Sequence, residues 1–206
     1  MKKVSLIFIL LIGFGCISYA QTITIGTQVW MTKNLDVATF RNGDPIPQAK
    51  TDDEWWKAGV NKQPAWCYYD NDPANGAKYG KLYNWYAVND SRGLAPVGYH
   101  IPSDAEWKIL TDFLGGEEVA GTKMKSTDFW ANSGNGTNES GFSGLPGGNR
   151  NSNGPFVTIG KYGLWWSSTK TDTLTAWYRY LNCYSGDVFR DANDEQVGFS
   201  VRCLRD

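Results

Sequence analysis

Apolar and polar positions change period along the chain. Residues 22–30, TITIGTQVW, alternate around Gly26-Thr27 and predict a short hairpin. Residues 35–40 predict a further strand, closed by an Asn42-Gly43 turn, and Pro45 and Pro47 hold the next segment extended. At Thr51 the pattern turns helical. Thr51 and Glu54 have capping-box spacing ahead of Trp55-Trp56, so a helix is expected over residues 52–58. Residues 64–70, PAWCYYD, read as a buried or half-buried strand, and residues 70–76, DNDPANG, as a turn-rich loop. Residues 79–89 set Leu82, Trp85, Tyr86 and Asn89 on one face of a short helix. The clearest helix follows Ser103, which forms a second capping box with Glu106. Trp107, Leu110, Thr111 and Leu114 recur at helical spacing until Gly115-Gly116 stops it. A shorter helical turn is expected over residues 117–125.

From Asp128 onward Gly, Asn and Ser dominate. Residues 132–141 and 147–154 read as loops, with strand candidates at 142–145 and 156–159 between them. Three strand-like stretches follow: GLWWSST at 163–169, the aromatic run 176–190, and VGFSVRC at 197–203. They are expected to be neighbours in one small antiparallel sheet. If residues 175–184 form a strand, Tyr178, Tyr180, Asn182 and Tyr184 share one face, and Trp177, Arg179 and Leu181 the other. Trp165 and Trp166 are adjacent and must face opposite sides. Trp30, Trp85 and Trp107 are assigned to the core. No repeat and no linker divides the chain, so residues 21–206 form one α+β domain.

Composition adds two points. The chain has 10 Trp and 11 Tyr, enough flat side chains to build a core without long helices. Such rings also stack on sugars. The net charge is −1, or −3 without Lys2 and Lys3, and no basic block is present, which argues against nucleic acid. Residues 1–20 read as a signal peptide: Lys2-Lys3, an apolar run, then Ser18-Tyr19-Ala20. The chain is therefore expected to be exported to the periplasm, outer surface or medium, with no membrane span in its mature part. Lipid attachment at Cys16 is the rival outcome, but Gly13-Phe14-Gly15 lacks the usual leucine. Cys67, Cys183 and Cys203 remain, allowing one disulfide in any of three pairings, or none.

The ordered motifs PAWCYYDND, YGKLYNWYAV, GYHIPSDAEWKILTDFLGG, GFSGLPGGNR, GLWWSST and GFSVRCLRD closely resemble the FISUMP family, the Fibrobacter succinogenes major paralogous domain, over essentially the whole mature chain. More distantly, IPSDAEWKIL, GLWWSST and GFSVRC resemble signatures of formylglycine-generating (sulfatase-modifying) enzymes. That resemblance implies a variant C-type-lectin fold: short helices on a small twisted antiparallel sheet with long loops. Many family members carry Cys-Pro where this chain has Ala95-Pro96. The usual partner of Cys203 is thus missing, leaving Cys67, Cys183 or no partner.

The resemblance also permits a test of chemistry. Formylglycine-generating enzymes bind copper through two nearby cysteines before the terminal motif. Cys183 falls near one position, and Tyr178 stands at the other, so the two-sulfur site is incomplete. His100 is the single histidine and is assigned a structural hydrogen-bonding role rather than a catalytic triad. Asp104 and Glu106 suit the first turn of a helix. Asp70, Asp72 and Asn75 offer oxygen ligands for calcium, without EF-hand spacing. Tyr178, Tyr180, Asn182 and Tyr184, joined by Arg190, Asn193 and Asp194, form the candidate ligand surface. The expectation is a secreted, non-catalytic binding module of a bacterial envelope, recognising a glycan or a surface protein. The alternatives are an oxidoreductase related to formylglycine-generating enzymes and a structural surface or assembly protein. Should the tyrosine face be buried, the loops at Asp70 and Asn149 are next.

Overall fold

The computed structural model describes residues 21–206, so the expected signal peptide and Cys16 lie outside the described residues. β1 (Thr22–Ile25) and β2 (Gln28–Met31) form the expected hairpin. Residues 35–40 do not form a strand. Leu35 donates to the Val201 carbonyl and accepts from Lys81, so its backbone bonds go to two separate segments rather than to one partner strand. α1 (Asp52–Val60) carries the predicted Thr51–Glu54 capping box. The strand expected at 64–70 shrinks to β3 (Trp66–Cys67).

The stretch expected to be a loop at 70–76 is largely helical. A single 3₁₀ turn at Tyr69–Asn71 leads into α2 (Pro73–Tyr79). Asp72 accepts from the Ala74 amide and Pro73 occupies the first turn, a pairing that starts helices well. The face expected at 79–89 is split. β4 (Leu82–Tyr83) pairs with β3, and Asn84 then caps α3 (Trp85–Val88). β5 (Tyr99–His100) precedes α4 (Asp104–Phe113), which has its capping box and buries Trp107, Leu110 and Thr111 as predicted. α5 (Glu117–Met124) follows. No helix among the described residues is long and apolar enough to cross a membrane.

Residues 142–145 form no strand; Gly144 makes an isolated bridge with Lys125. β6 (Asn149–Arg150), within a predicted loop, pairs with β7 (Phe156–Val157). Gly148 precedes this hairpin at φ +65°, and a Cβ there would lie 2.6 Å from the Val157 carbonyl oxygen. Arg150 is fully buried and anchors the hairpin, donating to the Gly154 and Ala49 carbonyls and to Asp52.

β8 (Tyr162–Lys170), β9 (Thr175–Asn182) and β10 (Phe189–Asp194) form an antiparallel sheet in the order β10-β9-β8. The stretch 197–203 is not its fourth strand. Gly198 bridges to Arg150, Phe199 to Tyr83, and Ser200 pairs in parallel with Trp165, so each residue stitches a different segment. β11 (Leu204–Arg205) then lies between β2 and β5 in a second sheet, ordered β1-β2-β11-β5. The result is a mixed α/β chain of small antiparallel sheets and short helices.

The three-stranded sheet separates two apolar clusters, as its alternation requires. Leu164, Trp166 and Tyr178 pack on one side with Phe199 and Tyr83. Trp165 and Leu181 pack on the other with Trp30, Trp107 and Phe142. Trp55, Cys67, Tyr69 and Leu82 form a third cluster. Among the described residues each of the three cysteines sits in a different cluster with its thiol free, so none of the three expected pairings is made. The five tryptophans at 30, 85, 107, 165 and 166 are all buried.

Candidate ligand-binding site

The first face of the three-stranded sheet is only partly covered. Between it and the β6–β7 hairpin lies a concavity of about 300 Å³, at the lower end of the roughly 300–1,000 Å³ common for small-molecule sites. Tyr162, Leu164, Tyr178, Tyr180, Asn193 and Phe199 line the sheet side. Asn149, Asn151, Val157 and Thr158 line the hairpin side. None of these ten described residues carries a formal charge.

Strand register explains the sheet side. Leu164 lies opposite Tyr180, which lies opposite Phe189, so alternate residues of three strands converge on one face. Tyr180 stacks on Phe189 at a centroid distance of 4.6 Å and on Tyr178 at 5.8 Å. Tyr162 stands 5.9 Å from Tyr180 and 6.3 Å from the exposed Tyr184. An aromatic row thus runs from the core, where Tyr178 meets Phe199 at 4.7 Å, out to solvent. Burial, and then the negative charge of Asp191, push the Tyr178 phenol up; the same two causes raise Tyr180. Both phenols therefore remain protonated at neutral pH and serve as donors as well as acceptors.

The seven sequence-predicted residues divide. Tyr178, Tyr180 and Asn193 meet in the concavity. Tyr184 joins the outer end of the aromatic row. Asn182 is buried and spends its side-chain oxygen on the amides of Tyr184 and Ser185, closing a turn. Asp194 likewise accepts from the Gln196 amide. Arg190 belongs to the opposite face, stacking on Trp177 at 3.3 Å and pairing with Asp104. Tyr162, Asn149, Asn151 and Thr158 were not among the predicted residues. Counting back by twos from Trp166 reaches Tyr162, so that one had a signal. The hairpin residues had none beyond the Asn-rich composition around Asn149.

The other candidate groups serve the framework. Asp70 is exposed, Asp72 caps α2, and Asn75 donates to the Tyr69 carbonyl at 3.1 Å. Among the described residues, no group of three or more His, Cys, Asp or Glu side chains is placed to hold a metal ion. Cys183 and Tyr178 lie in clusters on opposite sides of the sheet, so position 178 is not beside the thiol. His100 is held between Asp206 at 2.8 Å and Glu106 at 2.9 Å. Asp104 does more than start a helix: it pairs with buried Arg179 at 2.7 Å and with Arg190 at 2.9 Å.

No curated protein and no solved structure matches the chain. Residues 23–205 match the Fibrobacter succinogenes major domain, and the chain belongs to that family.

Proposed function

We propose that this chain is an exported, non-catalytic binding module that holds a glycan in the concavity between the β6–β7 hairpin and the three-stranded sheet. The observation that carries this reading is the lining: three tyrosine rings and the Asn193 amide on a rigid sheet, facing two amides and a hydroxyl on the hairpin, with no formal charge among them. Rings supply rigid apolar area for the faces of a sugar, and amides adapt to its hydroxyls. The strands preorganise the rings, which lowers the ordering cost of binding. The short helices, small antiparallel sheets and long connections suit a variant C-type-lectin fold. Under this reading, the likeness to formylglycine-generating enzymes reflects a shared scaffold without the copper reaction.

A glycan array probed with the purified chain tests the proposal. At least one glycan is expected to bind, and Tyr180→Ala is expected to abolish the signal while the protein stays folded. An array without hits, or one unchanged by Tyr180→Ala, would overturn it.

A further inference from the structure

This inference rests on the glycan reading and names the kind of sugar. Thr158 has φ +69°, a left-handed backbone conformation that a β-branched residue adopts only under strain. Its carbonyl accepts from the amides of Lys161 and Tyr162 at 2.9 and 3.0 Å, which hold it there. In that conformation its hydroxyl donates to Asn149 Oδ1 at 2.9 Å. Asn149 Nδ2 donates in turn to Asn151 Oδ1 at 3.1 Å. Asn149 is itself fixed, being buried and paired with Val157 in the hairpin.

The hydrogen-bond chain therefore has a direction. Both amide oxygens already accept a bond within it. The remaining capacity is the Nδ2 protons of Asn151, the second Nδ2 proton of Asn149, one lone pair on each amide oxygen and the lone pairs of the Thr158 hydroxyl. Across the concavity stand phenols that both donate and accept. Sugar hydroxyls, which do both, match this set. A carboxylate matches it poorly: the lining offers it no cation, and Asp191, directly opposite Tyr178 in the sheet, supplies a like charge.

We infer that the concavity selects an uncharged, hydroxyl-rich sugar ring over its acidic counterpart, and that Thr158 is the positioning residue that aims the amides reading it. Calorimetry with methyl glucoside, methyl galactoside, methyl mannoside and N-acetylglucosamine, against glucuronic and galacturonic acids, tests the selection. At least one neutral sugar is expected to bind about tenfold tighter than either acid, the difference of one unfavourable charge contact. Thr158→Gly tests the positioning. Glycine relieves the strain but loses the bond to buried Asn149, two opposing effects of similar size, so Tm is expected to stay within a few degrees of the parent. It is also expected to weaken the neutral sugar roughly five- to tenfold, the effect of one lost hydrogen bond. Thr158→Ser keeps the hydroxyl and should restore the affinity.

Equal or tighter binding of the acids, or full affinity in Thr158→Gly, would overturn this inference while leaving the glycan reading standing. If no sugar in the panel or on the array binds the unmodified chain, both fail together.

Discussion

The two faces of the β8–β9–β10 sheet carry the same period-two alternation and have different fates. The face toward α4 is sealed. Trp165 lies 6.5 Å from Trp107 and 5.7 Å from Phe142, and Arg179 is buried against Asp104 at the start of the helix. The opposite face is sealed only where Phe199 lies against Trp166 and Tyr178. Toward Tyr162 and Tyr180 its cover is the β6–β7 hairpin, with two residues in each strand, and Arg150 ties that hairpin to α1 rather than to the sheet. A helix ten residues long, capped at its start, presents a continuous stripe to a sheet. A short hairpin cannot, and the gap it leaves is the concavity. Burial on this sheet is thus decided by what covers each face.

Removing a large ring from each face measures the contrast most directly. Trp107→Ala opens a hole in the sealed side and should cost about 3–5 kcal/mol of stability, read as a lowered urea midpoint. Next in size is Asp104→Ala, which leaves Arg179 buried without a carboxylate and should cost about 3 kcal/mol. Asp104 also gives the sealed face an acid limit. Burial opposes its charge, but hydrogen bonds from Arg190 and Arg179 win and hold the carboxyl below its ordinary value of 3.8. With the folded value below the unfolded one, its contribution is complete above pH 3.8 and disappears as pH falls through the folded value. Urea unfolding across that range should show the slope in the parent chain and a shallower one in Asp104→Asn.

On the open face the same kind of truncation should be mild. Tyr180 is half-buried and its ring partners remain, so Tyr180→Ala should cost only about 1–2 kcal/mol. A loss as large as that of Trp107→Ala would mean that the two faces are equally structural, and would remove the reason to read one of them as a site.

How much of this was legible follows from how local each signal is. Both capping boxes are complete within four residues, and α1 and α4 begin where Thr51 and Ser103 say they should. The alternation of β9 placed Tyr178 and Tyr180 together because a strand is periodic in itself. α2 did carry a start signal in Asp72-Pro73, but Asn75-Gly76 reads as a turn and hid it. β3, β4, β6 and β7 are two residues each, too short for any period, and exist because their partners do. The stretch 197–203 looks like a strand, yet its backbone groups bond to Arg150, Tyr83 and Leu164 in turn. The hairpin side of the concavity was legible only as the second-choice loop at Asn149; the positive φ at Thr158 follows from the closure of residues 158–162, which no local pattern announces.

The smallest effect sharpens the contrast most finely. His100 on β5 bonds Glu106 on α4, clipping the cover of the sealed face to the second sheet, while Asp206 holds its other nitrogen. Burial disfavours its charge, but the hydrogen bonds it donates to Asp206 and Glu106 and their negative charges raise it above the ordinary 6.5. A raised folded value means that the stabilisation is complete below pH 6.5 and is lost as pH rises through the folded value. Solvent reaches the ring, so the loss should stay below about 1 kcal/mol. His100→Gln should flatten this dependence in urea unfolding. Ligand affinity at the concavity should not change over the same pH range, because α4 covers only the other face. If affinity instead falls in step with stability, and His100→Gln removes both slopes, the two faces are coupled through the sheet and cannot be treated as separate.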